Sequence, residues 1–257
     1  MQEGVSIIIP VWNHELTIAR AVRSAIQAVK ALQQEGYKGE VIVLDNCSRD
    51  GTRNLLRQLE ALYYQDQLKV IYNEKNLGLT QSRNKGLKLA LFRGILFLDS
   101  DNLVVPENLP IHYQAMRENE GAAVFGNLLL YSSSSLQSSV KQFLSAEAIQ
   151  NKIFQGNYVD AMALFDRQQL LDHGGYDQEH PALADWELWL SFISQGRKVL
   201  FVPVVLGCYF RLKNSLIAQN HGPEIEAMYR KFDQEKLRAL MKHQSNHLVY
   251  HPAIGSV

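Results

Sequence analysis

The chain has 257 residues, 46% hydrophobic and 20% charged, enough for one large domain or two small ones with a substantial core. Lys plus Arg and Asp plus Glu both number 26, so the formal net charge is zero and a nucleic-acid partner is not expected. Two distant cysteines, Cys47 and Cys208, an N-terminus (MQEGVSIIIPVW) without a signal-peptide pattern, and no apolar run near the ~18 residues of a spanning helix point to a reducing, cytoplasmic location, with peripheral membrane contact left open.

The first half has a regular rhythm. VSIIIPV (5–11) is a continuous apolar run, as in a strand buried on both faces. Asn13 is placed to cap the helix that follows, in which Ile18, Val22, Ile26 and Val29 recur at helical spacing. EVIVLD (40–45) is a second strand, 52–64 a second helix, LKVIY (68–72) a third strand, 79–92 a third helix and ILFLD (95–99) a fourth strand. This β-α-β-α-β-α-β order predicts an α/β fold with a parallel sheet flanked by helices.

The second half is less regular. A helix is expected over 107–119, a strand over 122–131, a polar Ser-rich loop over 132–139, a helix over 140–151 and a strand over 158–165 (YVDAMALF). QQLLDHGGYD reads as a short helix ending at Gly174-Gly175, and DWELWLSFISQG (185–196) as another helix. KVLFVP and LGCYFRL read as two strands, and 222–243 as a charged helix before a polar tail.

In an open parallel sheet, ligands bind beyond the carboxyl ends of the strands. Here those ends carry Trp12-Asn13-His14-Glu15, then Asp45 through Thr52, then Asn73 through Gly78 with Arg83 and Asn84, then Asp99-Ser100-Asp101. The last of these follows the apolar run ILFL directly. Two carboxylates at i and i+2 repel each other, and a hard divalent cation would relieve that repulsion. A plain turn is the alternative, since Asp, Ser and Asn all favour turns. No glycine-rich dinucleotide or P-loop pattern follows the first strand, which reads P-V-W-N-H-E.

Taken in order, VSIIIPVWNHE, VLDNCSRDGT, NLGLTQSRNKGL, ILFLDSDN, and GGYD followed by ADWELW resemble the motifs of the family 2 glycosyltransferases. The resemblance runs from about residue 5 to about residue 215. It implies a GT-A-type fold, with a mostly parallel central sheet in a single main domain over 1–220. A nucleotide-binding half would occupy 1–102 and an acceptor-binding half 103–220, with a C-terminal helical extension over 221–257. The implied activity is inverting transfer of a sugar from a nucleotide-sugar donor to an acceptor hydroxyl. UDP-sugar is the family's commonest donor. A glycan, a lipid-linked glycan and a protein all remain open as acceptors, contacting 126–165 and the second half, with the Ser-rich loop as a lid.

The resemblance also implies residue roles. Pro10, Asn13 and Glu15 would line the nucleotide pocket, with Asp45 and Asp50 against the nucleoside; Asp50-Gly51-Thr52 also reads as a turn and helix cap. Gly78 permits close backbone approach. Arg83 would meet the donor phosphates or position Asp99 and Asp101, or else be a solvated helix charge. Asp99 would lie near the ribose. Asp101 would hold a divalent cation, Mn²⁺ or Mg²⁺, that stabilises the diphosphate leaving group. Asp185 stands at the position of the catalytic base, although Ala184 replaces the first acid of the usual pair; its other reading is an N-cap, with Glu187 a first-turn acid. Trp186 and Trp189 either stack on a sugar or belong to the core. Lys213 stands where many relatives carry a metal-binding His; an ammonium cannot ligate a metal but can pair with a diphosphate. His221 is a distant substitute ligand. Two other readings compete: a GT-A-like nucleotide-sugar-binding protein that has lost turnover, and a sugar-nucleotide synthesising enzyme. The second normally needs a glycine-rich basic loop after the first strand.

Overall fold

A computed structural model describes residues 2–63, 68–131, 140–144, 151–154, 156–210, 222–232, 235, 250–251 and 255–256. Lys213, His221 and the Ser-rich segment 132–139 lie outside the described residues.

The elements run β1 (Gln2–Val11), α1 (Ile18–Gln34), β2 (Lys38–Asp45), α2 (Thr52–Leu62), β3 (Leu68–Tyr72), α3 (Leu79–Leu89), β4 (Phe92–Phe97), β5 (Leu103–Val104), α4 (Leu109–Asn119), β6 (Ala123–Tyr131), β7 (Val140–Leu144), β8 (Leu164–Asp166), α5 (Arg167–His173), α6 (Ala184–Ser194), β9 (Val199–Phe210) and α7 (Gly222–Lys231). A short hairpin pairs β10 (Tyr250–His251) with β11 (Gly255–Ser256). Nine strands share one sheet in the order β3-β2-β1-β4-β8-β6-β9-β5, with β7 added to β6. The four strands expected from the first half are present and parallel. Beyond β4 the pairings turn antiparallel, except that β6 runs parallel to β9.

Both faces of β1 are buried, which explains its unbroken apolar run. Val5, Ile7 and Ile9 pack on one face with α1, whose Ile18, Val22, Ile26 and Val29 point inward. Ile8 packs on the other face, in a core shared with Phe97, Phe165, Trp186 and Trp189. Pro10 pairs with Leu44 of β2 and follows the last β1–β4 rung at Ile8, so its missing N–H costs no bond there.

Several expectations give way. Asn13 does not cap α1: Thr17 is the N-cap, and Asn13 is a turn residue with φ 54°. The helix expected over 140–151 begins instead as strand β7, because its side pairs with the edge of β6 (Leu128↔Leu144, Leu130↔Gln142) and pairing overrides helix propensity. Of 158–165, only Leu164 and Phe165 enter a strand, β8, which ends at Asp166. The two strands expected around Pro203 are one strand, β9. Its register on β6 slips between Gly126↔Val202 and Asn127↔Val205, so the proline sits in a bulge. The charged helix is described as α7 over Gly222–Lys231 and at Glu235.

Candidate active site

The carboxyl ends of β1, β2 and β3 form one hydrogen-bonded edge. At the end of β1, the Ser48 hydroxyl accepts the Asn13 N–H (2.9 Å) and the Asn13 side-chain oxygen accepts the Arg49 N–H (2.7 Å). Glu15 accepts the Gly51 N–H (2.5 Å), while Asp50 accepts the N–H of Glu15 (3.1 Å) and of Thr52 (3.0 Å). Burial pushes the Asp50 carboxyl up, but these hydrogen bonds, Thr52's foremost, bring it below its usual range. Asp45 is fully buried. One of its oxygens accepts the Ser48 N–H (3.1 Å) and the other the Arg53 Nε–H (2.6 Å). Arg53 also donates to the Asn73 carbonyl (2.9 Å), which ties β2 to β3.

Behind this edge lies a second network. The Asn46 side-chain oxygen accepts from Asn73 Nδ2 (2.9 Å) and Ser82 Oγ (2.6 Å), and its amide donates to the Gly78 carbonyl (3.2 Å). Gly78 precedes α3 with φ 80°, a conformation that suits glycine; a side chain there would meet open space, so the backbone angle sets the requirement. Lys85 donates to the Asn73 side chain (2.5 Å).

The tip of β4 has different electrostatics. Asp99 accepts from Arg83 Nη2 at 2.7 Å, and Arg83 is only 4% exposed. Arg83 is therefore a buried cation rather than a solvated helix charge. Burial opposes its charge, but the Asp99 carboxylate and the nearby Tyr176 and Asp185 hold it firmly protonated. Its guanidinium lies 5.0 Å from the Tyr176 ring centroid. Ser100 bonds His14 Nδ1 (2.6 Å), joining the β4 tip to the β1 turn, and burial lowers the His14 pKa. Asp101 offers its backbone carbonyl to Arg20 Nη2 (2.8 Å). Its carboxyl is pushed up to about 7, first by burial and then by the charge of Asp99.

Asp185 stands in the first turn of α6, one residue inside the helix, with Leu183 as the N-cap. It is therefore not the cap. Its Oδ1 accepts the Trp186 N–H (3.0 Å) and its Oδ2 accepts from Asn157 (2.9 Å). Burial raises its pKa, against the pull of Arg83 and these bonds. Glu187 is no exposed first-turn acid: it is buried, accepts from Ser191 Oγ (2.9 Å) and pairs with Lys231 of α7 (2.9 Å). Lys231 also bonds Asp177 (3.0 Å), so α7 is pinned behind α6. Trp186 and Trp189 are core residues. Their indole N–H groups hold the carbonyls of Ile153 (2.7 Å) and Val159 (3.1 Å), which fixes the segment carrying Asn157 and Asp160 against α6.

The Asp160 carboxyl is pushed up to about 7 by burial, then by the charge of Asp99, with Asp185 adding to it. Asp99, Asp160 and Asp185 thus crowd around Arg83. Asn157 and Asp160 are not singled out by the sequence, where the one local signal is an aspartate interrupting the apolar stretch YVDAMALF; Tyr176 lies in the GGYD motif, which gives it no role of its own.

A divalent cation fits Asp101. Its carboxylate is a hard oxygen donor, half-buried beside the like charge of Asp99, and Asp99 is already paired with Arg83. Among the described residues, the one group of three potential ligands that lie close together is Asp177, Glu179 and His180, where Asp177 is engaged by Lys231.

The profile of the family described as Glycosyl transferase family 2 matches residues 6–170, more than half of the chain. Among curated relatives, UDP-Glc:alpha-D-GlcNAc-diphosphoundecaprenol beta-1,3-glucosyltransferase WfgD of Escherichia coli is 27% identical over 227 residues, 88% of this chain and 83% of that protein. Putative teichuronic acid biosynthesis glycosyltransferase TuaG of Bacillus subtilis is 36% identical over 121 residues, 47% of this chain and 45% of that protein. Among solved structures, S. aureus TarS 1–349 in complex with UDP-GlcNAc superposes with a TM-score of 0.71 at 18% identity, covering 93% of this chain and 71% of that one. The mannosyltransferase PcManGT of Pyrobaculum calidifontis, in complex with GDP-Man and Mn²⁺, superposes at 0.62 with 16% identity, covering 95% and 74%. Together, the strand order, the strand-end carboxylates and the family profile place this chain in glycosyl transferase family 2.

Proposed function

We propose that the enzyme transfers a sugar, with inversion, from a UDP-sugar to a hydroxyl of a lipid-linked glycan. The observation that carries this is the Arg83 cluster. One buried guanidinium bonds Asp99 at the tip of a parallel strand and is electrostatically coupled to Asp185 at the start of α6, which brings a donor edge and a base together. The donor class and the acceptor class draw support from WfgD, whose name states both and which aligns with 88% of this chain. TarS, of the same fold, binds UDP-GlcNAc.

In this reading the β1, β2 and β3 edge holds the nucleoside. Asp45, Asp50 and Glu15 spend their oxygens on backbone N–H groups and on Arg53, so they shape the pocket wall more than they contact the base. Asn13 and Pro10 set the turn, and Gly78 lets the backbone reach the donor. Asp99, aligned by Arg83, lies by the ribose. Asp101 would hold Mn²⁺ or Mg²⁺, and such an ion supplies positive charge to the departing diphosphate. Lys213 would add a further positive charge. Asp185 accepts the proton of the acceptor hydroxyl as its oxygen bonds the anomeric carbon, while the bond to the diphosphate breaks and its electron pair leaves with UDP. The α6 N-terminus favours the carboxylate form, whereas burial raises its basicity, and the net upward shift suits a base. A lipid-linked acceptor implies work at a membrane surface; among the described residues no helix is long and apolar enough to cross one.

Calorimetric titration of UDP, GDP and dTDP, with and without Mn²⁺, into wild type and Asp101→Ala tests the reading. UDP should bind in a cation-dependent manner that Asp101→Ala loses. Cation dependence that survives the substitution removes Asp101 from the role, UDP binding without product formation favours a binding protein that has lost turnover, and no nucleotide binding overturns the donor reading.

A further inference from the structure

Asp160 is half-buried beside two other carboxylates, yet its local bonding does not require a charge. Its Oδ1 accepts the Met162 N–H (2.8 Å), a turn that Asn or Ser would make equally well. The nearest cation, Arg83, is bonded to Asp99. The position is nonetheless held firmly. The indoles of Trp186 and Trp189 grip the backbone at Ile153 and Val159, and Asn157, three residues away, bonds Asp185 itself. The fold thus keeps a carboxylate at a set place relative to the base, without a counter-charge of its own.

That carboxylate lines a cavity of about 20 Å³ with Phe125, Leu128, Tyr158 and Met162. The volume suits one water-sized group. Mainly apolar walls and one anion would repel a phosphate and reward a single hydrogen-bond donor. Close by, the Tyr176 hydroxyl is buried with no partner among the described residues, and it feels the charges of Asp185, Asp99 and Asp160. The polar cluster is therefore one hydrogen-bonding group short of complete.

We propose that Asp160 recognises the acceptor: its second carboxylate oxygen accepts a hydrogen bond from a hydroxyl of the acceptor sugar other than the one attacked, seated in this cavity. The inference rests on the acceptor-glycosylation reading above. A carboxyl poised near neutrality, as here, is suited to this bond because it accepts when ionised and leaves little unpaired charge when empty.

The test uses UDP-glucose or UDP-N-acetylglucosamine with an N-acetylglucosaminyl-diphospho-alkyl acceptor and its mono-deoxy analogues. These are assayed on wild type, Asp160→Asn and Asp160→Ser, both of which keep an oxygen for the Met162 N–H. Both variants should raise the acceptor KM by about 10- to 100-fold, as expected for loss of a hydrogen bond to a charged group, while UDP affinity stays unchanged. One deoxy analogue should show a similar penalty on wild type and almost none on the variants. A merely structural role would not produce that analogue-specific coupling. Equal penalties on wild type and variants for every analogue, or an unchanged acceptor KM in both variants, would overturn the inference. A wild type that binds UDP but glycosylates no acceptor overturns the function reading first, and this inference with it.

Discussion

The two sides of the cleft handle their carboxylates in opposite ways. On the β1–β3 side, Asp45, Asp50 and Glu15 are matched to backbone N–H groups or to Arg53. On the side of β4 and α6, Asp99, Asp160 and Asp185 share one cation, Arg83, and Asp101 lacks a cation of its own bonded to its carboxylate among the described residues. The first side is a finished scaffold. The second holds charge in reserve, and ligands would complete it. On the proposed function, binding energy would then be concentrated around the base.

The largest effect should come from the unfinished side. Asp185→Asn should lower transfer by about 10²- to 10⁴-fold, the span of general-base catalysis, with UDP affinity near wild type. Transfer at a wild-type rate would move the base elsewhere. Arg83→Met removes the shared cation and should destabilise the fold by about 1–3 kcal/mol in denaturant titration, because Arg83 is buried while its partner Asp99 stays partly in contact with solvent. It should also raise the apparent pKa on the acid limb of kcat, because Arg83 pulls Asp185 down. An unchanged acid limb would show that Arg83 does not sense the base.

Stability against pH should separate the two sides by sign. Asp101 and Asp160 have folded pKa values of about 7, above the unfolded value, so the native state binds more protons than the unfolded chain between about 4 and 7. Their contribution is present at low pH and declines as pH rises through 7. Asp50 is shifted down, so its contribution is present above the ordinary carboxylate range and disappears as pH falls below it. Urea melts of the cation-free protein should therefore show stability falling from pH 5.5 to pH 8 and falling again below pH 4. A steady rise from pH 5.5 to pH 8 would contradict the account of the second side. The smallest effect belongs to the finished side. Glu15 is exposed, so Glu15→Gln, which retains an acceptor for the Gly51 N–H, should shift stability by no more than about 0.5 kcal/mol.

The finished side was also the legible one. β1 to β3 are short apolar runs separated by helical periods, and their polar ends adjoin in the sequence pattern as they do in space. The second side is assembled over long range. Asn157 and Asp160 reach Asp185 only because two tryptophans from α6 hold their segment, and Tyr176 meets Arg83 only because Asn84 clasps its backbone N–H and C=O across 92 positions. That clasp needs Gly175, with φ 81°, where a side chain would collide with Asn84. Periodicity carries no trace of such contacts. It also misleads at β7, where a helix-forming composition is drawn onto a sheet edge.

Lys231 alters the notion of where this enzyme's working part ends. It lies beyond the segment matched by the family profile, yet it supplies the counter-charge to Glu187, two residues from Asp185 on the same helix. Glu187 and Asp185 lie beyond that segment too, so a graft of the profile segment alone would carry neither, and a graft ending after α6 would leave that buried carboxylate facing a foreign helix. A donor of specificity should therefore contribute α6 and α7 as one inherited unit.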